Sequence, residues 1–559
     1  MAVDLAPRVA DLRIAVPVAV AWIGAAVMVG VPAAAGWVLV VGVGVGVGVG
    51  IGVGVCVVFG VRAVPFRRRP DGFAGLAGLA GLAGLAGLAV TTASLCSLLA
   101  VAVLVGEARR SPAVLDDRGH GTVAVEVVLS RDLAPGDRSV VGTLEQVDDL
   151  AGLRVPVRVV PDRDDDRAPV HLAAGTLLRS SASVEPDAPG TTTAAVVFLR
   201  GTASTRAPTG ILAATDRARQ AFVAVTEPLP EPGASLLRGL AIGDRSGLDP
   251  ATESAMETSA LTHLTAVSGA NCAVVVGLVA VLGRALGLPR YVRAAVAVVL
   301  LLAFVVLVRP DPSIVRATVM AIVVLVVHLT GRPVRGVPLI ALAVVGMLVV
   351  DPWYARSFAF VLSVLATSGI VVLGPPLTEL LARRLWTPAA AALAVPIAAQ
   401  LACWPVTIPL SAALPTYAVP ANLLTEPLAP IVTVVGLGAC LVAAVWPWGG
   451  TVVAAVAWVP ASAIGEIAHG AAALPHASAP WPGGVAGVMA AGTVSASVAV
   501  AVLVPRPVRF RLLLLAGAVT VIGMAVVAVP RIVVRSGLPS NWSTAACTWF
   551  RIETSCCGS

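Results

Sequence analysis

Polar and small residues are concentrated where a long apolar segment, residues 260–282, begins. The group comprises His263, Thr265, Ser268, Gly269 and Asn271. Polar groups at such a position are costly unless they face a protein interior or water, so the group predicts a functional lining inside a membrane. For His263 alone, the alternative is an interfacial histidine bonded to a backbone carbonyl.

Four more polar side chains fall within later apolar segments. They are Arg316, Gln400, Asn422 and Glu426. A cation just inside a membrane span needs a partner or a wet cavity. The prolines at 405, 409, 420, 427 and 430 are predicted to break the helices around these groups. Broken helices at mid-membrane occur where they line a cavity, so this region also predicts a polar path.

His263 and Ser268 are also residue types that a hydrolase uses. Five residues apart on one helix, they face away from each other, and no acidic residue accompanies them to orient the histidine. No cysteine or histidine spacing resembles a zinc site, and no glycine-rich phosphate loop with lysine occurs. The prediction is therefore a protein that is not an enzyme and has no cofactor or metal.

The composition places these residues in a membrane protein. The chain has 559 residues, of which 58% are hydrophobic and 12% charged, and its mean hydropathy is +0.93. Every basic residue is arginine, and the net charge is +7. Cytoplasmic loops of membrane proteins collect arginine, so this balance does not by itself indicate nucleic acid.

Apolar runs long enough to cross a bilayer recur along the chain and predict about thirteen spans. The predicted spans are 14–31, 36–60, 83–105, 260–282, 291–308, 313–330, 336–350, 357–374, 388–412, 417–445, 451–474, 482–504 and 510–529. With the N-terminus in the cytoplasm, most arginine-rich loops fall inside, whereas the insert after the third span and the C-terminus fall outside. Arg309 and Arg356 are exceptions, on outer loops. The short segment 336–350 is the most probable re-entrant one.

Residues 106–206 form the predicted soluble insert. Five short alternating stretches, separated by turn-rich segments, predict a small β-barrel or sandwich, and an OB-like barrel fits the count. Phe198 is its one Phe, Tyr or Trp, whereas stacking platforms for single strands use several. Residues 207–256 predict an amphipathic connector. The expected fold class is a polytopic α-helical membrane protein with a small all-β, OB-like insert.

Several segments resemble the ComEC family, the inner-membrane channels of bacterial DNA uptake, in the same order along the chain. Gly243–Ser246 resembles the family's G-D-R-S segment, and Leu261–Gly269 resembles the segment that enters the next span. The later matches are Pro312–Ala317, Asp351–Ser363, Gln400–Pro405 and Pro420–Pro427. Asn271 stands where many members have histidine, so a protonation role there is in doubt, because asparagine does not titrate.

The resemblance implies a multi-pass protein of the bacterial cytoplasmic membrane that admits single-stranded DNA during natural transformation. A DNA receptor and a cytoplasmic translocating ATPase are the implied partners, and a homo-oligomer is left open. The channel-lining candidates are Asp244, Arg245, His263, Thr265, Ser268, Gly269, Asn271, Arg316, Gln400, Pro405, Asn422 and Glu426. A transporter of another envelope polymer or solute, or a nonfunctional relic, are the alternatives.

The predicted organisation is three N-terminal spans in 1–105, the insert, the connector, a channel domain in 257–530 and a tail in 531–559. Many family members continue into a metallo-β-lactamase-like domain, which we do not find in this tail. A truncation or frameshift is therefore expected.

Overall fold

The computed structural model describes residues 6–42, 44, 72–110, 121–134, 137–162, 172–265, 269–309, 312–329 and 336–504. The chain divides into two compact units. One comprises residues 1–372 and 415–477, and the other comprises residues 373–414 and 478–559. The predicted span 510–529, and Ser268, lie outside the described residues, and so does most of the predicted span 36–60.

The apolar segments form helices that end mostly at arginine-, glycine- or proline-containing turns. The helices are α1 (Ala6–Gly30), α2 (Ala33–Gly42), α3 (Gly72–Arg110), α4 (Gly210–Thr226), α5 (Gly233–Ile242), α6 (Pro250–Thr258), α7 (Thr262–Thr265), α8 (Gly269–Ala285), α9 (Arg290–Val308), α10 (Pro312–Leu329), α11 (Gly336–Val350), α12 (Phe358–Leu381), α13 (Thr387–Thr407), α14 (Ala418–Thr425), α15 (Ala429–Ala443), α16 (Pro447–Ala473) and α17 (Gly484–Leu503). A 3-10 helix, Pro352–Arg356, lies between α11 and α12.

Among the described residues, six helices are long and apolar enough to cross a bilayer, or seven if the bent pair α14 and α15 is one span. Six shorter apolar stretches, each of 10–17 residues within a helix, are also present among the described residues. At 1.5 Å per residue these are shorter than the ~30 Å of hydrocarbon, so a full crossing needs flanking turns as well. The chain is therefore a mostly helical, multi-pass membrane protein.

The soluble insert is a closed barrel of five strands: β1 (Val123–Leu129), β2 (Val140–Val147), β3 (Leu150–Val160), β4 (Leu177–Pro186) and β5 (Ala195–Arg206). The strand order is β1-β2-β3-β5-β4; β3 and β5 are parallel, and the other pairs are antiparallel. Alternate residues such as Val125, Val127 and Leu129 point into its core because successive strand residues face opposite sides.

Proline has different effects at two of the five positions where breaks were predicted, Pro405 and Pro427. Pro427 lies in the break between α14 and α15, whose axes differ by 45°. Pro405 does not interrupt α13, which runs through it and ends at Thr407. The expected break at Pro405 is therefore wrong: the proline lies two residues before the helix ends, where few further backbone bonds depend on it.

The predicted amphipathic connector contains α4, α5 and α6, and α5 is buried on every side except at Arg238. It packs against α4, α15 and α16. Small residues let these helices approach closely. A Cβ added to Gly436 of α15 would lie only 2.8 Å from the Cβ of Ala241, on α5. This contact places the end of α5, where the G-D-R-S segment begins, in the centre of the bundle.

The close packing of α15 on α5 at Gly436 can be tested by substitution. We expect Gly436→Val to lower the thermal midpoint of the protein in detergent, because overpacking costs about 1–3 kcal/mol. Gly438→Val is the matched control, since nothing lies within 4 Å of its added Cβ on the same helix. Equal midpoints for the two variants would contradict the packing described for α5 and α15.

Candidate functional site

Arg316 joins two of the motif segments inside the helix bundle. It lies in the second turn of α10 and is 5% exposed. Its Nη1 donates to Thr367 Oγ1 at 3.2 Å, and its Nη2 donates to Ser363 Oγ. Ser363 and Thr367 are one turn apart on α12. The segments Pro312–Ala317 and Asp351–Ser363 therefore meet at one guanidinium.

Among the described residues, the charge of Arg316 has no opposite charge beside it. Within the described residues, no carboxylate oxygen lies within 4.0 Å of this guanidinium. Its Nε is inaccessible to solvent and has no hydrogen-bond partner. Arginine stays protonated in proteins, and an uncompensated buried charge is expensive. The site therefore has the electrostatic character of an anion site held by neutral hydroxyls.

Asn271 is buried between three helices. It lies in α8 and is 6% exposed. The hydroxyl of Thr433, on α15, lies 3.4 Å from Asn271 Oδ1 and 3.3 Å from the carbonyl oxygen of Leu240, on α5. The hydroxyl of Thr433 thus lies where α5, α8 and α15 meet. The sequence made Asn271 a channel-lining candidate, and that role stays a prediction; the structure places its side chain where three helices meet.

The turn after α5 contacts the next segment through its arginine. Gly243 ends α5 in the left-handed conformation, with φ +71°, which glycine adopts without strain. Asp244 Oδ1 accepts from the backbone N–H and the hydroxyl of Ser246, at 3.0 and 2.7 Å. Arg245 Nε then donates to the carbonyl oxygen of Thr265 at 3.3 Å. This contact brings two motif segments, Gly243–Ser246 and Leu261–Gly269, together.

His263 makes the contact that the plainer interpretation predicts. It is exposed, and its Nδ1 lies 3.1 Å from the carbonyl oxygen of Ala260, three residues earlier. The structure therefore supports an interfacial histidine bonded to a backbone carbonyl. Gly269 begins α8 immediately after the undescribed residues 266–268.

The remaining candidates have local surroundings of their own. The Nδ2 of Asn422 donates to the carbonyl oxygen of Ala418 at 2.8 Å within α14. Glu426 is exposed at the bend between α14 and α15. Gln400 and Pro405 lie on α13, in the second unit, where Gln400 is half-buried. The sequence grouped these residues by polarity alone, which does not determine which helix faces meet.

The structure contains a buried ionic cluster that the sequence did not predict. We define the Asp132 cluster as Asp132, Asp216, Arg219 and Arg309. Asp132 Oδ2 accepts from Arg219 at 2.9 Å, and Asp132 Oδ1 lies 3.1 Å from Arg309 Nη2. Arg309 Nη2 is also 3.6 Å from Asp216 Oδ1. The signal in the sequence was that Arg309 is an exception to the predicted charge bias of the loops, and the structure pairs it with Asp132 of the insert.

The electrostatics of this cluster favour an ionised Asp132. Burial alone would raise the pKa of its carboxyl. Arg219, Arg309 and the backbone N–H of Ala174 outweigh burial, and they hold the pKa below its usual value. Arg219 also donates to the carbonyl oxygens of Ile242 and Leu307, which end α5 and α9. The cluster thus joins the barrel to two helix ends.

These features define a multi-pass helical membrane domain that has a buried, uncompensated arginine and carries a closed five-stranded barrel. Residues 240–506 match the family model described as competence protein. The chain therefore contains a competence-protein domain of the ComEC/Rec2 type. No curated protein and no solved structure matches the chain.

Proposed function

We propose that this chain is a channel of the bacterial cytoplasmic membrane that admits single-stranded DNA during natural transformation. The competence-protein domain and the membrane-spanning helices support this class of function. The observation that carries the channel role is Arg316, a buried cation without a carboxylate partner among the described residues. A phosphodiester passing this position would supply the missing negative charge.

The partners of Arg316 suit transport better than tight binding. Ser363 and Thr367 are neutral hydroxyls that leave the guanidinium with its full charge. Conduction requires a site that is favourable enough to enter and weak enough to leave. A single guanidinium, hydrogen-bonded to neutral hydroxyls, would attract a polyanion to enter and would bind it weakly enough for release.

The proposal also covers the fold of the insert, the membrane topology and the partner proteins. We propose that the insert is OB-like, and its closed barrel with the strand order β1-β2-β3-β5-β4 and parallel β3 and β5 supports this. We place it and the C-terminus outside a membrane crossed about thirteen times. A DNA receptor outside and a translocating ATPase in the cytoplasm complete the system. In this proposal the chain is a conduit and not an enzyme, and within the described residues no three potential metal ligands cluster.

Deletion of the gene in a naturally transformable host tests the proposal. We expect labelled DNA to remain outside the cytoplasm and transformants to be lost, with both restored by the intact gene. Normal entry and integration of labelled DNA in the deletion strain would contradict the channel role. Retained DNA uptake together with loss of another envelope polymer or solute would favour the transporter alternative instead.

A further inference from the structure

The barrel and the helices have separate apolar cores. Among the described residues, the buried cluster around Val127, Leu144 and Val157 contains only residues of the insert. The buried clusters of the helices in the same unit contain none of them. Domains that share little apolar surface move relative to each other more readily than domains with a joint core. The polar contacts between the barrel and the helices are therefore important for holding the barrel in place.

The first polar contact is the Asp132 cluster. Asp132 lies in the β1–β2 loop, and its carboxylate bonds to Arg219 and Arg309 of the helical part. Both arginines are almost fully buried, with side chains 8% and 7% exposed. One carboxylate thus faces two cations at the contact between the loop and the bundle.

The second polar contact involves the β4–β5 loop. Arg110, at the end of α3, donates to the carbonyl oxygens of Thr191 and Thr192 at 3.2 and 2.7 Å. Arg356, in the 3-10 helix, donates to the carbonyl oxygen of Pro189 at 3.4 Å. These bonds engage backbone atoms of the loop, so they depend on its position and not on its side chains.

The two engaged loops are those that reach round a ligand in OB-type barrels. There the β1–β2 and β4–β5 loops, with the β2–β3 face, bind oligonucleotides and oligosaccharides. Here α3 also contacts β3. While the barrel is docked, both loops are held by arginines of the membrane domain and are not free to close over a strand.

The arginines have partners of their own in the helical part. Arg110 lies 3.7 Å from the ring centre of Trp353 and 3.9 Å from Asp351. Arg219 donates to two helix-end carbonyls, and Arg309 lies 3.6 Å from Asp216. When the barrel leaves, Arg110 and Arg309 therefore keep a nearby carboxylate, and Arg219 keeps two carbonyl acceptors, so each guanidinium retains part of its interactions.

We propose that the barrel is latched on the membrane domain by these two contacts, and that its β1–β2 and β4–β5 loops bind single-stranded nucleic acid only after the latch opens. The ligand class rests on the proposed function. The docking itself rests on the observed contacts of Asp132, Arg110 and Arg356.

The test measures barrel position in the full-length protein, in a cysteine-free background. Spin labels are placed at Leu150, which is exposed on the barrel, and at Val350, which is exposed at the end of α11. We expect Asp132→Asn to broaden the inter-label distance distribution and shift it to longer distances. Asp137→Asn is the matched control, because Asp137 lies in the same loop and, among the described residues, accepts from the N–H of Ala134, 2.8 Å away, and from no arginine.

Binding of fluorescent oligothymidylate to the same purified proteins is the second measurement. We expect Asp132→Asn to bind it more tightly than the wild type and the Asp137→Asn control. If Asp132→Asn does not fold, Arg356→Gln takes its place, since Arg356 is exposed and belongs to the other contact. Distances like those of the control would overturn the latch, and longer distances without tighter binding would overturn the loops as the binding site. Neither readout involves DNA uptake, so either failure is distinct from failure of the channel proposal.

Discussion

Replacing Arg316 with methionine is expected to reduce DNA uptake about 10–100-fold, because a charge-assisted hydrogen bond contributes about 1.5–3 kcal/mol and 1.4 kcal/mol is about tenfold in rate. Methionine retains much of the volume and removes the charge. Thr367 keeps its bond to the carbonyl oxygen of Ser363, at 2.9 Å, so the local helix structure is preserved. The measurement is entry of labelled DNA into cells that express equal amounts of protein.

The stability of the same variant separates a functional arginine from a structural one. Replacing a buried charge by an apolar group of similar volume is often neutral or stabilising, so we expect an unchanged or higher thermal midpoint in detergent. Arg284→Ala, an exposed arginine in the last turn of α8, is the control and should leave uptake unchanged. Normal uptake in Arg316→Met would remove Arg316 from the conduction path, and a much lower midpoint would assign it a structural role.

The second large effect is expected at Asp132. Removing one partner of a buried ion pair costs about 3–5 kcal/mol, and the 17% exposure of this side chain places the effect near the lower end, at about 3 kcal/mol. Asp132→Asn should therefore lower the docked-to-released ratio of the barrel by roughly 100-fold. The docked fraction from spin-label distances measures it.

The pH dependence of docking follows from the lowered pKa of Asp132. A carboxyl whose pKa is lower in the docked state contributes its stabilisation above the free value of about 3.9, and loses it as the pH falls through the docked value. The charged groups facing it are Arg219, Arg309 and, beyond Arg309, Asp216. Wild-type docking should thus be constant near neutral pH and decline in acid, whereas Asp132→Asn should lack that acid transition. An unchanged profile in the variant would assign the acid transition to another group, such as Asp216.

Much of the architecture followed from local sequence. Apolar runs gave helices near the predicted positions because a helix is the one way for a single segment to satisfy its backbone in lipid. The alternating stretches gave five strands because side chains alternate across a strand. The motif segments were also recognisable locally, and residues 240–506 match the competence-protein family.

Tertiary structure decided which of the polar residues meet. From the sequence, Arg316 was one of several predicted intramembrane polar groups. The structure brings it into hydrogen-bond contact with Ser363 and Thr367, which are 47 and 51 residues away. His263 had equal standing in the sequence but bonds to the carbonyl three residues before it. Arg309 did not fit the predicted distribution of arginines among the loops. In the structure it lies beside Asp132, which is 177 residues away in the sequence. Local patterns determine helices, strands and burial, because those depend on neighbours in the chain. Pairing of charges depends on which loops and helix faces fold together, and no local pattern contains that information.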